Sequence, residues 1–265
     1  MEIAVCVKQV PETGQARLRE DTQTVDRGVS LITNPFDRYA LEAAAGLRDK
    51  FGGRVTAFSM GPPSAEEMLR ECYMYGADRL ILLSDPLFAG ADTYATSYVL
   101  SEALKYYGPF DLILCGKQTA DGDTAQVGPE LAEWLNIPQL TCVGFLECDG
   151  TRLRVRRELD DCYEWAETML PALVTATKSL PEPRHPHFSR ILGAASAPIT
   201  VMNADVLPDL QRDRLGLKGS PTQIHQIRQV SFHRETHVLD GNNLKETVST
   251  LVSVLRGENT VNHEQ

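Results

Sequence analysis

The sequence predicts an α/β fold: a Rossmann-like parallel sheet with helices on both faces, a small antiparallel strand extension and a C-terminal arm. Three features predict it. Apolar runs alternate with helical stripes over residues 3–135, the pattern of parallel strands joined by right-handed crossovers. After Pro138, short strand-like runs follow one another with no helix between them. Beyond residue 198 core-forming periodicity fades until a last amphipathic stretch. Residues 1–197 are expected to form the α/β domain and residues 198–265 the arm.

Taken in order, Ile3–Val10 reads as the first strand, with Pro11 ending it at its carboxyl edge, the edge where open α/β sheets bind ligands. Residues 12–30 are polar, a surface excursion. Ala40, Leu41, Ala44 and Leu47 stripe a helix, and on residue type Asn34 and Asp37 read as its caps. Arg54–Met60 is a second strand, closed by Gly61, Pro62 and Pro63. Ser64 and Glu67 stand at capping-box spacing before a helix whose apolar side is Met68, Leu69, Cys72 and Tyr75. Arg79–Ser84 is a third strand, and a helix starting near Ala91 runs to about Tyr107. Leu140–Leu146, Arg152–Arg157 and Tyr163–Met169 are short antiparallel strands, with Asp160 and Asp161 in a turn. Pro171–Thr177 returns to the main sheet. Leu180–Leu192, with three prolines and two histidines, reads as a stiff exposed loop. Asn243–Arg256 places Leu244, Val248, Leu251, Val252 and Leu255 on one helical side, to pack on the protein's own body or on a partner chain.

A net charge of −10 and a pI near 5.1 argue against nucleic acid or anionic membrane as a partner. No apolar run approaches the roughly 20 residues of a membrane helix. The first residues carry an acid and enter a strand at once, unlike a signal peptide, so a cytoplasmic protein is expected. The six cysteines show no CxxC spacing, and most read as small buried hydrophobes; His185 and His187 lack further ligands, so no metal site is expected.

The stretch with the most chemistry is 112–135. Leu112–Cys115 is a buried strand, Gly116 breaks it, and a small polar loop runs through Asp123. Val127, Leu131, Trp134 and Leu135 then share one helix face, with Pro129 in the first turn and the N-cap near Thr124–Gln126. A strand, a small-residue loop and an open helix N-terminus make a phosphate seat, although the same residues suit an ordinary turn. Asp121 and Asp123 would repel a phosphate unless they turn elsewhere. No GxxxxGK[ST], GxSxG or HExxH pattern and no GxGxxG after a strand is present, so redox chemistry would have to come from a cofactor.

Several motifs in fixed order identify a resemblance. Val7–Pro11, Asn34–Asp37 with Ala40–Ala43, Met60–Pro62, Tyr75–Asp78, Cys115–Gln118 with Asp121–Pro129, and Gly216–Thr222 resemble the beta subunits of electron transfer flavoproteins over nearly the whole chain. The resemblance implies a heterodimer with an alpha subunit that carries a second flavin. It implies a nucleotide surrounded by Cys6, Asn34, Pro35, Phe36, Asp37, Met60, Gly61, Gly116, Asp121, Gly122, Asp123, Thr124, Ala125, Gln126, Val127 and Gly128, with Asp92, Thr93 and Thr96 pointing into the same crevice. It also implies a partner-recognition loop at Leu180, Pro181, Glu182, Pro183 and Arg184, with Leu180 anchoring an acyl-CoA dehydrogenase or similar flavoenzyme. Where many relatives follow that loop with a Lys/Arg cluster, this chain has Gly193–Pro198. Conventional members hold AMP in the beta pocket and electron-bifurcating members hold a second FAD. Asp121–Pro129 resembles the FAD-holding version, and Gly122, Thr124 and Ala125 leave room for a diphosphate. The expected function is electron transfer between NADH or a dehydrogenase, the alpha FAD and a partner flavoenzyme or ferredoxin. A non-redox nucleotide-binding module is the second reading.

Overall fold

A computed structural model describes residues 1–12, 30–223, 238, 239, 241 and 243–256. The chain divides into two compact units, residues 1–225 and 226–265. The first begins with β1 (Glu2–Cys6), β2 (Gln9–Pro11), β3 (Leu31–Thr33), α1 (Pro35–Phe51), β4 (Arg54–Met60), α2 (Ala65–Met74) and β5 (Arg79–Leu83). It continues through α3 (Thr93–Tyr107), β6 (Leu112–Gly116), α4 (Val127–Leu135), β7 (Gln139–Cys148), β8 (Arg152–Glu158) and β9 (Tyr163–Met169). It ends with β10 (Ala172–Ala176), α5 (Phe188–Ala194), β11 (Ile199–Met202) and α6 (Gly216–Gly219).

Among the described residues the main sheet has the order β11-β5-β4-β1-β6-β10-β7-β8-β9. Every pairing from β11 to β7 is parallel, and β7, β8 and β9 pair antiparallel. The returning strand expected at 171–177 is β10, seated between β6 and β7. Period-two alternation divides the core between the two faces. Ile3, Val5, Ala57 and Leu114 face Leu41 of α1 and Leu69 of α2, while Ala4, Phe58, Ile81 and Ile113 face Val99 of α3 and Leu131 of α4. The far edge is less covered. On β9, Tyr163, Trp165 and Met169 are exposed, with Arg156 over the Tyr163 ring and Arg154 over the Trp165 ring.

Several expectations change. The first strand does not run on to Val10: the Val7 amide still reaches Phe58 O at 2.8 Å, but the next amide, of Lys8, is taken by the Asp37 carboxylate. The chain therefore leaves the sheet, and Gln9–Pro11 pairs antiparallel with Leu31–Thr33. The excursion at 12–30 falls, apart from its ends, outside the described residues. Ser64 makes no capping bond, because the first amides of α2 turn back to Pro62 O and Pro63 O. The loop from Leu180 gives way to helix α5 at Phe188. The boundary at 197/198 falls inside the first unit, since β11 joins the main sheet and Met202, Ala204, Leu207 and Leu215 pack on the α3 side of its core.

The second unit contains α7 (Leu244–Leu255), as the spacing predicts. Thr247 and Thr250 turn their hydroxyls back to Asn243 O and Glu246 O.

Leu114 is fully buried on β6, between β1 and β10. Leu114→Ala is expected to lower the unfolding free energy by about 2–5 kcal/mol in urea titrations.

Candidate functional site

The carboxyl ends of β1, β6 and β10 lie side by side, and one buried carboxylate joins the loops that leave two of them. Asp37, in the first turn of α1, is only 4% exposed. Its Oδ2 accepts the Lys8 amide at 2.7 Å, and its Oδ1 accepts the Gly116 amide at 3.1 Å and Asn34 Nδ2 at 2.8 Å. The first donor follows β1 and the second ends β6. A Cβ at Gly116 would stand 2.2 Å from Asp37 Oδ1, so only glycine admits the carboxylate there. Burial pushes the Asp37 pKa up to about 7, against these three N–H donors and the nearby Lys8 charge.

Asn34 does not cap α1 with its side chain. Instead its Nδ2 also donates to Gln118 O at 2.9 Å and its Oδ1 accepts the Ala120 amide at 3.2 Å, so it holds the start of the β6–α4 loop. The capping expected of Asn34 and Asp37 is thus replaced by a role across the chain: both side chains reach loops some 80 residues away.

That loop disposes of its negative charge. Asp121 pairs with Lys8 Nζ through both oxygens, at 2.9 and 2.8 Å, and Asp123 accepts from Gln118 Nε2. Asp123 and Ala125 hold left-handed backbone at φ 53° and 54°, a conformation that costs a non-glycine residue on the order of 1–2 kcal/mol. The loop ends at α4, whose first amides have no helical carbonyl to bond. Gly128 in that turn is buried against β10, where a Cβ would lie 2.6 Å from Thr175 Cγ2. Asp121, Gly122, Asp123, Thr124 and Gln126 are exposed, and Ala125 and Val127 are half-buried.

Cys6 ends β1 in register with Cys115 of β6, both buried on the α3–α4 face. A hydrogen bond with Cys6, together with burial, raises the Cys115 thiol pKa, which makes Cys115 a poor nucleophile. Pro35 and Phe36 form the first turn of α1, with Lys178 Nζ 5.1 Å from the Phe36 ring centre. Met60 packs against the α3-side core at the end of β4, and the Gly61 amide bonds Leu83 O.

The third group is differently engaged. Asp92 caps α3 through the Ala95 amide and accepts both the amide and the hydroxyl of Thr222, at 2.9 and 2.8 Å; its own amide donates to Ser220 Oγ. Burial opposes ionisation there, but these bonds outweigh it and hold the carboxyl below its ordinary range. Thr93 donates to Glu130 of α4 at 3.0 Å, and the Thr96 amide bonds Asp92 O. Asp92 and Thr93 therefore tie α3 to residues 220–222 and to α4, and their side chains are occupied in doing so.

Leu180 is 4% exposed and belongs to the α1-side core, so it offers no anchoring surface. The exposed apolar side chains stand further on, on α5: Phe188 at 70%, Ile191 and Leu192. Pro181 and Glu182 are exposed, and Pro183 and Arg184 half-buried. Arg184 pairs with Glu42 at 2.9 Å and Asp49 at 2.7 Å on α1. Asp49 in turn pairs with Arg48, Arg48 with Asp78, and Asp78 with Arg190 of α5. This ladder braces the segment that carries Phe188. Among the described residues no three His, Cys, Asp or Glu side chains converge to hold a metal.

Lys8, Lys117, Gln118 and Lys178 are the site residues that sequence reasoning missed. Their one signal is position: each lysine stands just past an apolar run, and the adjacency of β1, β6 and β10 that aligns them is invisible in sequence order.

Residues 22–207 match the electron transfer flavoprotein domain family. The chain is 44% identical, over 263 residues, to the electron transfer flavoprotein subunit beta of Thermoanaerobacterium thermosaccharolyticum, covering 98% of this chain and 100% of that one. It is 40% identical over 263 residues to subunit CarD of the caffeyl-CoA reductase–Etf complex of Acetobacterium woodii, with 98% and 100% covered. Protein FixA of Bradyrhizobium diazoefficiens is 44% identical over 235 residues, with 86% and 82% covered.

The Asp37 pKa near 7 has a sign that can be measured. Its folded value lies above the roughly 3.9 of a free aspartate, so its contribution to stability is present below pH 4 and is lost as pH rises through 7, by at most about 4 kcal/mol. Asp37→Asn removes the titration. Urea denaturation from pH 5 to pH 8 should show a fall in stability for the native chain that the variant lacks.

Proposed function

The chain belongs to the electron transfer flavoprotein family as a beta subunit, and we propose that it holds an FAD at the β6–α4 loop and passes electrons within a heterodimer. The observation that carries this reading is the fixation of that loop. Asp37 and Asn34 bind its start, Lys8 and Gln118 take up Asp121 and Asp123, and the N-terminus of α4 is left at the carboxyl edge of a parallel sheet, where nucleotides bind. In this structure Asp121 is paired with Lys8, and Asp123 accepts from Gln118. Exposed Gly122 and Thr124, with Ala125, give a diphosphate and its extension room, which favours FAD over AMP.

A bound flavin would supply the one- and two-electron chemistry that no side chain here provides. The chain's own part is positional. Asn34, Asp37, Gly116 and Gly128 hold the loop and the α4 turn against the sheet, and the buried Cys6 and Cys115 close the floor, Cys115 with its thiol pKa raised.

The electron route we infer runs from NADH or a dehydrogenase through this FAD to the FAD of the alpha subunit, then to a partner flavoenzyme or ferredoxin, by bifurcation. The similarity to a subunit of a caffeyl-CoA reductase–Etf complex supports such a setting. The partner flavoenzyme docks on Phe188, Ile191 and Leu192, which replace Leu180 as the anchoring surface, and the 226–265 unit with α7 packs on the alpha subunit. The setting is cytoplasmic; no helix among the described residues is long and apolar enough to cross a membrane.

Co-expression with the alpha subunit, denaturation and chromatography of the released nucleotides tests the reading. Two FAD per heterodimer and no AMP are expected. One FAD with one AMP would leave a conventional carrier, and no flavin at all a non-redox module. Phe188→Ala should weaken binding of the partner flavoenzyme by about tenfold or more, read by surface plasmon resonance, with heterodimer assembly unchanged.

A further inference from the structure

We propose that Lys8 is a phosphate-binding residue held in reserve by Asp121, and that the phosphate of the nucleotide takes Lys8 over from the Asp121 carboxylate. The proposal rests on the nucleotide reading above and goes beyond it by assigning the competitor that the phosphate must displace.

The root of Lys8 is immobile, because its amide is bonded to the buried Asp37. Its side chain is free to swing: it is 47% exposed and touches the loop through its ammonium. Both Asp121 oxygens lie within 2.9 Å of Nζ, a two-oxygen contact that a phosphate reproduces with higher charge. Half-exposed ion pairs of this kind are weak and yield to a stronger anion. The released Asp121 stays solvated, since it sits in the exposed part of the loop, so no buried charge is left unpaired.

The surroundings favour an anion at this place. Lys117 directly follows β6 and Lys178 stands two residues past β10, so both leave the same carboxyl edge of the sheet as Lys8. Lys178 is held over Phe36, in the first turn of the helix that carries Asp37. The ligand chemistry this fits is the phosphate or diphosphate of an adenine nucleotide.

The test is a double-mutant cycle on the heterodimer freed of bound nucleotide, titrated calorimetrically with ADP and with adenosine. Lys8→Gln is expected to weaken ADP binding about tenfold and leave adenosine unchanged. Asp121→Asn is expected to strengthen ADP binding a few-fold, roughly three to ten, and that gain should vanish in the Lys8→Gln background. Lys8→Arg should keep ADP affinity within about threefold, which separates loss of charge from loss of fold. ADP affinity untouched by Lys8→Gln overturns the proposal. So does an Asp121→Asn gain that persists without Lys8, because Asp121 would then act as a repelling charge alone. If the native complex binds neither ADP nor adenosine, the nucleotide reading falls, and this proposal with it.

Discussion

The buried carboxylate of Asp37 is the constraint on which the rest of the site depends. Two oxygens receive three N–H donors from three separate segments: the exit of β1, the end of β6, and the residue that precedes α1. The consequence runs outward in steps. Because Lys8 gives its amide to Asp37, the chain must leave the sheet, and the Gln9–Pro11 ribbon forms beside it. Because Asn34 is turned toward Asp37, its remaining polar atoms hold Gln118 and Ala120. Because the loop starts from a fixed point, α4 can settle on β10 at a distance that admits only Gly128. The burial that raises the Asp37 pKa opposes this arrangement, and the donors offset only part of it.

Much of this was legible in the sequence, and the part that was not has a physical reason. The strands and helices of the α/β unit show through their periods, which belong to one segment at a time. The strand order does not, since β10 enters between β6 and β7 only after three intervening antiparallel strands. Residue type identified Asn34 and Asp37 as polar groups at a helix start but favoured caps, because local bonding is all that a short window can display. The family resemblance made Leu180 the anchor of an exposed loop, whereas the fold buries it and brings forward Phe188 from a helix too short to announce itself. The stretch beyond 198 was hard to read for a related reason. Residues 199–223 join the core through four edge-strand residues and scattered apolar contacts, with no period of their own.

The two proposed contact regions differ in what holds them. The β6–α4 loop is held at its start by half-buried hydrogen bonds from Asn34 and Asp37, and further out by the exposed Lys8–Asp121 pair. The α5 segment is fixed by a ladder of half-exposed ions from Glu42 through Arg184, Asp49, Arg48 and Asp78 to Arg190, each link weak alone and stronger as a network.

The uncovered edge of the sheet has a practical corollary. Beyond β9 no further strand is present among the described residues, and that strand shows Tyr163, Trp165 and Met169 to solvent beside unpaired backbone groups. Such an edge is a template for self-association, blunted here by the Arg154 and Arg156 guanidinium groups lying over its rings and by the charged Glu164 and Glu167 on the strand itself. Produced alone, the polypeptide carries a surface prone to clumping, so solubility during expression is itself a report on whether that flank has found a cover.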